Sequence, residues 1–242
     1  MRATPRVKAR LAGTLYGISA VPAAFSVFVL LKLVVPGDPA ATATNILGSE
    51  ALFRLGFVAD LIGIVFFLGS ALMLYELFKP VSRSLSLLML LFSLMGSAIQ
   101  ALDSLGDIAA LLLLKGGSTV AAFTTAQSQG LAFLFLRLHN LLYDLALVFF
   151  AVFSILIGYL VLKSTFLPRV FGVLMAIDGL GYLTFSSATF LSPPFAAHLY
   201  PYLPFVTALL GEVLLMLWLI VKGVNAQRWE EQAAAAEGRG DL

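Results

Sequence analysis

The chain has 242 residues, of which 60% are hydrophobic and only 12% are charged, and its net charge is +2. A soluble domain of this size would carry many more charged residues on its surface, so the composition excludes that class. The absence of cysteine excludes a disulfide framework and any thiolate site, and the small net charge gives no support for nucleic acid as a partner.

Apolar runs of about twenty residues recur along the chain, and each is long enough to cross a bilayer as a helix. The sequence therefore predicts an all-α fold, a polytopic transmembrane bundle of six helices within the lipid bilayer. The predicted spans are 11–35, 53–78, 85–114, 137–163, 170–190 and 205–221. We expect residues 1–224 to form one transmembrane domain and residues 225–242 to form a solvated cytoplasmic tail, helical at its start.

The segments between the predicted spans also contain patterns that predict local structure. Asp38-Pro39 has the pattern of an N-cap followed by proline at the first helical position, which predicts a short helix that ends near Gly48. Residues 115–130 are polar, small and flanked by glycine, so we predict a mobile outer loop there. Residues 191–204 contain four prolines and predict an ordered outer cap.

The basic residues predict the orientation. Eleven of the fifteen lysines and arginines fall on one side of the predicted spans. They are Arg2, Arg6, Lys8, Arg10, Lys79, Arg83, Lys163, Arg169, Lys222, Arg228 and Arg239. By the positive-inside rule this side is cytoplasmic, which predicts a multi-pass protein of the cell membrane with both termini inside.

The spans also hint at a repeat. Residues 54–83 and 137–169 each give an outside-to-inside span followed by a short basic turn. Each inside-to-outside span opens with arginine, a small residue three positions on and leucine five positions on. The three instances are Arg10-Gly13-Leu15, Arg83-Ser86-Leu88 and Arg169-Gly172-Leu174. This pattern suggests three hairpins in which the sixth span pairs back to the first, although small residues favour any helix packing.

Ionisable residues inside a membrane are expensive, so they are candidates for function. At 1.5 Å per residue, Asp178 and Glu212 lie about 13–15 Å from the inner basic residues, close to mid-membrane. A carboxyl group in low dielectric is a candidate for binding a proton or a ligand. The alternative is a protonated acid that holds neighbouring helices together by hydrogen bonds.

A second polar set lies near the outer boundary of the spans. Its candidate members are Arg54, Asp60, Gln100, Asp103, Asp107, Arg137, His139, Asn140 and Asp144. Helical periodicity places Arg137, Asn140 and Asp144 on one edge of the fourth span. The third span carries a polar stripe that includes Gln100, Asp103 and Asp107. If the edge of the fourth span meets this stripe, Arg54 and Arg137 face the carboxylates and line a recess open to the outside. The alternative is a set of Arg–Asp pairs that hold the bundle together.

Metal, cofactor and nucleophile chemistry have little support in the sequence. His139 and His198 are both on the outer side, and no spacing joins them to further ligands, so we expect no metal and no cofactor. No serine lies in a nucleophile-elbow pattern.

Four stretches carry a family resemblance. They are ARLAG in the first span, VPGDPAATATNILGSEALFRLGFVADL across the first outer loop, and ELFKPVSRSL and STFLPRVFGVLMAIDGLGYL at the two inner turns. Together they resemble the domain of unknown function 4386 family, which comprises bacterial six-span integral membrane proteins. The resemblance extends from Ala9 to about Val224 and implies the fold and the membrane. It implies no reaction, substrate or functional residue.

Three functions stay open. The favoured one is binding or translocation of a small molecule or lipid through the outward recess, as in a transporter. Against it, no span shows the unwinding expected at many transporter sites. The second is an intramembrane enzyme for a lipid or quinone, with His139 and an aspartate as acid and base. The third is a structural or sensory subunit that forms a homo-oligomer or pairs with another membrane protein.

Overall fold

The computed structural model describes residues 4–238, which form helices joined by short turns and include no strand. The α-helices of the first four spans are α1 Pro5–Leu33, α3 Glu50–Phe78, α4 Arg83–Lys115 and α5 Thr125–Lys163, and α2 Pro39–Gly48 follows the first of them. The later helices are α6 Arg169–Leu191, α7 Pro193–Leu199, α8 Tyr202–Ala208, α9 Leu214–Val221 and α10 Ala226–Gly238. Two of the basic residues counted for orientation, Arg2 and Arg239, lie outside the described residues.

Six helical segments are long and apolar enough to cross a membrane. Five are single α-helices, and the sixth, Tyr202–Val221, is made of α8, the π-helical turn Leu209–Val213 and α9. The prediction of an all-α bundle with six spans is confirmed. These are the features of a multi-pass integral membrane protein.

The ends of two helices follow local capping rules. Asp38 caps α2 as predicted, because its carboxylate accepts a 2.9 Å hydrogen bond from the backbone N–H of Ala41. The predicted mobile loop is shorter than expected, because α5 already begins at Thr125. Thr124 and Gln127 form a reciprocal capping box in which each backbone N–H donates to the other side chain, at 2.8 and 3.3 Å.

The chain forms two compact units, and α1, α3, α4 and α5 each contribute residues to both. Unit one comprises Met1–Gly17, Phe66–Ser97 and Asp144–Leu242, and unit two comprises Ile18–Val65 and Ala98–Tyr143. Each unit has its own apolar core. In unit one the fully buried side chains include Phe153, Leu160 and Met175, and in unit two they include Ile46 and Phe53.

Glycine allows close backbone contact between helices of unit one. A Cβ placed on Gly172 of α6 would lie 2.7 Å from the carbonyl oxygen of Gly158 in α5, and one on Gly179 would lie 2.5 Å from that of Ala151. The first span makes the same kind of contact with the last, since a Cβ on Gly13 would lie 2.9 Å from the carbonyl oxygen of Met216. Two of the three small residues in the predicted repeat therefore pack against a backbone, and the sixth span does pair with the first.

The tail helix α10 is docked onto unit one. The indole N–H of Trp229 donates a 2.8 Å hydrogen bond to the carbonyl oxygen of Leu77, one of the last carbonyls of α3. The ammonium of Lys8 lies 5.8 Å from the centre of the Trp229 ring, and Gln232 accepts hydrogen bonds from the N–H and hydroxyl of Thr165 at 3.0 Å. The start of the tail is helical, as predicted.

We expect Trp229→Ala to release α10. The substitution removes one hydrogen bond and the burial of a large ring, a loss of about 2 kcal/mol, so the amides of α10 should exchange with solvent deuterium at least about tenfold faster. Hydrogen-exchange mass spectrometry of the detergent-purified protein measures this. Glu230→Ala, on an exposed residue of the same helix, is the control and should leave the exchange unchanged. Equal exchange in wild type and Trp229→Ala would contradict the docking role.

Candidate functional site

Most of the candidate residues fall into two groups, one in each unit. The first, here called the histidine cluster, is in unit two and comprises Asp60, Gln100, Asp103, Ser104, Asp107 and His139. The second, here called the carboxyl pair, is in unit one and comprises Asp178 and Glu212.

Asp60 of α3 accepts hydrogen bonds at both carboxylate oxygens from α4. Gln100 donates to one oxygen at 3.1 Å, and the hydroxyl of Ser104 donates to the other at 2.8 Å. The polar stripe predicted on the third span is therefore real and turns toward the second span, because Gln100 and Ser104 lie four residues apart on one face.

His139 of α5 lies against two aspartates of α4. Its Nδ1 is 3.4 Å from a carboxylate oxygen of Asp107 and 3.6 Å from one of Asp103. The backbone carbonyl of Asp103 is 3.3 Å away. The backbone carbonyl of Asp103 can only accept, so Nδ1 carries the hydrogen when it bonds this oxygen, whereas Asp107 Oδ1 has no hydrogen bond of standard geometry. The remaining carboxylate oxygen of Asp103 is buried and has no hydrogen bond of standard geometry.

Gly106 explains how His139 reaches α4. A Cβ at Gly106 would lie 2.9 Å from the carbonyl oxygen of Phe135 and 3.4 Å from the Cβ of His139. The two helices can approach this closely only because residue 106 has no side chain. The imidazole is therefore placed one turn from Asp103 and Asp107 on the same helix face.

The two arginines expected to face these carboxylates do not do so. Arg54 is an exposed residue that pairs with Glu50 at 2.8 Å on its own helix, and Arg137 is also exposed. Asn140 is exposed as well. The face of α5 that turns inward in unit two carries His139, which was not among the residues assigned to the predicted polar edge.

Asp144, the last candidate on α5, belongs to unit one. It is partly buried, and Thr189 of α6 interacts with its carboxylate. The hydroxyl of Ser186 donates a 2.6 Å hydrogen bond to its backbone carbonyl. These contacts join α5 to α6, which is the structural role that the sequence left open for this residue.

Asp178 of α6 is completely buried, with 0% of its surface exposed. The hydroxyls of Ser154 and Thr207 approach its carboxyl group, but neither carboxyl oxygen has a hydrogen bond of standard geometry. Thr207 instead donates to the carbonyl of Leu203 at 3.0 Å. A buried polar group without such a bond costs stability, so the carboxyl of Asp178 needs an explanation other than packing.

Glu212 lies next to Asp178, and the two carboxyl groups interact electrostatically. Tyr16 of α1 and Tyr182 of α6 both form side-chain hydrogen bonds with Glu212. The two deep carboxyls that the sequence placed near mid-membrane are thus together, on facing spans of one unit. The hydroxyl partners have no distinctive pattern in the sequence, and only the contact between the first and sixth spans brings Tyr16 to Glu212.

Glu212 is part of the π-helical turn Leu209–Val213. The sixth span stays helical through this turn, but the regular α-helical hydrogen-bond pattern is interrupted there. Single π-helical turns inside α-helices occur often at functional sites. Gly211 in this turn packs on the other carboxyl residue, since a Cβ there would lie 2.7 Å from the Cβ of Asp178.

Unit two also has a surface pocket of about 260 Å³. Its walls come from α2, the end of α4 and the residues from Gly116 to Gln129, with Leu47, Leu113 and Phe123 among them. None of the candidate carboxylates lines it. No group of three or more His, Cys, Asp or Glu side chains within residues 4–238 could hold a metal ion.

The spans, the buried carboxyls and the π-helical turn define a multi-pass integral membrane protein with polar groups inside its bundle. The chain matches the family described as domain of unknown function (DUF4386) over residues 11–223, and it belongs to that family. A protein of Archaeoglobus fulgidus, described as uncharacterized, is 29% identical over 158 residues, which cover 63% of this chain and 74% of the relative. No solved structure matches the chain.

Proposed function

We propose that this protein binds a small molecule or lipid inside the membrane and translocates it, with the carboxyl pair as the binding site. The observation that supports the proposal is Asp178, which is fully buried without a hydrogen bond of standard geometry and packs against the π-helical turn that carries Glu212. A ligand group would complete the hydrogen bonding of Asp178, and the irregular turn gives the sixth span a place to move.

The same proposal includes the cell membrane as location, cytoplasmic termini and a recess that opens to the outer face. The distribution of basic residues supports this orientation. The histidine cluster and the surface pocket are both formed by unit two, near helix ends that the orientation places outside. A homo-oligomer or a second membrane protein as partner stays a prediction.

A screen of ligands against two variants tests the binding site. Detergent-purified wild type is screened for thermal stabilisation by a library of small molecules and lipids, and hits are repeated with Asp178→Asn and Glu212→Gln. We expect both variants to bind the hits at least about tenfold more weakly, because one charged hydrogen bond is worth about 1.5–3 kcal/mol. Glu230→Gln, on an exposed acid of the tail, should bind like wild type. Hits that bind both variants as well as wild type would remove the carboxyl pair as the site.

An intramembrane enzyme is the second candidate, and the histidine cluster favours it. His139 has Asp103 and Asp107 within 3.6 Å, a distance over which a proton can move after a small adjustment. Incubation of the reconstituted protein with a bacterial lipid extract, followed by mass spectrometry, tests for turnover. Product that forms with wild type and is lost in His139→Gln would support an enzyme, and equal lipid profiles with and without wild-type protein would contradict it.

A further inference from the structure

We infer that the ligand of the carboxyl pair is an organic cation with an apolar or aromatic body. This inference rests on the proposed function, because it names the class of molecule that the pair binds. Three independent features of unit one and of the described chain lead to it: the sign of the buried charges, the neighbours of the pair and an aromatic cluster beside Tyr16.

The buried ionisable groups are almost all acidic. The buried carboxyl residues are Asp60, Asp103, Asp107 and Asp178, and His139 is the one buried residue of basic type among residues 4–238. Every lysine and arginine in that range is exposed or partly exposed. Where a carboxylate and a base do meet near the inner helix ends, as Glu76 does with Lys8 and Lys79, they pair at 2.9 and 3.0 Å. Within the described residues, no such base accompanies the carboxyl pair inside the bundle.

The immediate neighbours of the pair carry hydroxyl groups and no positive charge. Ser154 and Thr207 approach Asp178, and Tyr16 and Tyr182 reach Glu212. Hydroxyl groups donate hydrogen bonds but do not neutralise a carboxylate. Removing a carboxylate from water costs several kcal/mol unless a positive charge accompanies it. A cationic group on the ligand supplies that charge, whereas an anionic group would find no positive partner among these neighbours.

An aromatic cluster adjoins the pair through Tyr16. The ring of Tyr16 is 5.6 Å from that of Phe67, which lies 5.4 Å from the ring of Phe150 and 5.5 Å from that of Phe153. The faces of aromatic rings attract cations, and rings together with a carboxylate are the usual recognition site for quaternary ammonium groups. The same rings provide apolar contact for the body of such a molecule.

Gly96 holds this cluster against α4. A Cβ at Gly96 would lie 2.8 Å from the Cε1 atom of the Phe150 ring. The ring therefore occupies the space that any other residue type at position 96 would fill. A substitution at position 96 therefore changes the aromatic cluster and leaves Asp178 and Glu212 unchanged. It tests the aromatic part of the proposal separately from the carboxyl pair.

The test uses a matched pair of lipophilic ions, tetraphenylphosphonium and tetraphenylborate, which have the same shape and opposite charge. Binding of each to detergent-purified full-length protein is measured by equilibrium dialysis. We expect wild type to bind tetraphenylphosphonium and Glu212→Gln to bind it at least about tenfold more weakly, since one charged hydrogen bond is worth about 1.5–3 kcal/mol. Phe67→Leu should weaken it about 2- to 30-fold, the equivalent of a cation–π contact of about 0.5–2 kcal/mol. Tetraphenylborate should not compete.

The outcomes separate this inference from the proposed function. The cation class would be overturned if tetraphenylborate, or neutral compounds from the library, bound in a way that depends on Asp178 and Glu212 and tetraphenylphosphonium did not compete. That result would leave the binding site intact. Ligand binding that never depends on either carboxyl group would overturn the site itself. If Asp178→Asn fails to fold, Glu212→Gln and Phe67→Leu still decide the result, because size-exclusion chromatography verifies their folding before dialysis.

Discussion

His139→Ala should lower the free energy of unfolding by about 3 kcal/mol, because it removes a buried ring together with the hydrogen bond that this ring makes. The imidazole Nδ1 lies 3.3 Å from the backbone carbonyl of Asp103, and 3.4 and 3.6 Å from the carboxyl groups of Asp107 and Asp103, which are buried residues of unit two. Removing the ring leaves the carbonyl of Asp103 without this partner and opens a cavity beside Gly106. Denaturation in mixed micelles, followed by circular dichroism, measures the change.

Two further variants make this result specific. His198→Ala is the matched control, because His198 is exposed and its Nδ1 contacts the carbonyl of Pro194 at 2.7 Å in its own short helix. It should change the stability by less than about 0.5 kcal/mol. Adding Asp107→Asn to His139→Ala should recover at least about 1 kcal/mol, because it replaces a buried acid that lacks a hydrogen bond at Oδ1 by a neutral amide. No recovery, together with a small loss for His139→Ala alone, would show that the cluster contributes little to stability.

Gly179→Ala should destabilise unit one by about 2 kcal/mol, although alanine is the best helix former. The added methyl group would lie 2.5 Å from the carbonyl oxygen of Ala151 and 3.0 Å from the backbone nitrogen of Ile155. Backbone atoms of a helix cannot rotate away as a side chain can. The crossing of α5 and α6 must therefore widen, and the widening weakens packing along both helices.

Gly130→Ala supplies the control with the same chemical change. Gly130 is exposed in the first part of α5, and a Cβ there has no heavy atom within 4 Å. The substitution should be neutral or stabilise by up to about 1 kcal/mol, since it replaces glycine by alanine in a helix. The two variants are heated, and the fraction that stays monodisperse on size-exclusion chromatography gives an unfolding temperature for each. Equal unfolding temperatures would contradict the close crossing at Gly179.

Much of the fold could be predicted because its signals are local. A run of about twenty apolar residues is sufficient for a span, and Asp38-Pro39 is sufficient for the start of α2. The early start of α5 also had a local signal in Thr124 and Gln127, a capping box that the polar composition of the loop concealed. The π-helical turn has no comparable signature, because Leu209–Val213 reads as an ordinary apolar helix segment.

The candidate site was harder to predict, for a physical reason. In water, an apolar stripe marks the buried face of a helix. In a membrane, the lipid is as apolar as the protein core, so the pattern does not distinguish the buried face from the lipid-facing one. Arg137 was therefore assigned inward, whereas the structure turns His139 toward α4 and leaves Arg137 exposed. Depth along the helix axis follows from about 1.5 Å per residue, and this arithmetic assigned Asp178 and Glu212 to a similar depth without showing that they meet.

The contact between Gly13 and the sixth span has a consequence for biogenesis. The ribosome makes Gly13 long before its partners Met216 and Ile220, because four other spans lie between them in the sequence. The first span must therefore enter the bilayer before its partner exists, and its glycine face is covered by lipid or by the insertion machinery until the sixth span has been translated. Defects at Ile220 would then arise late in synthesis, in chains whose earlier segments are already threaded through the membrane.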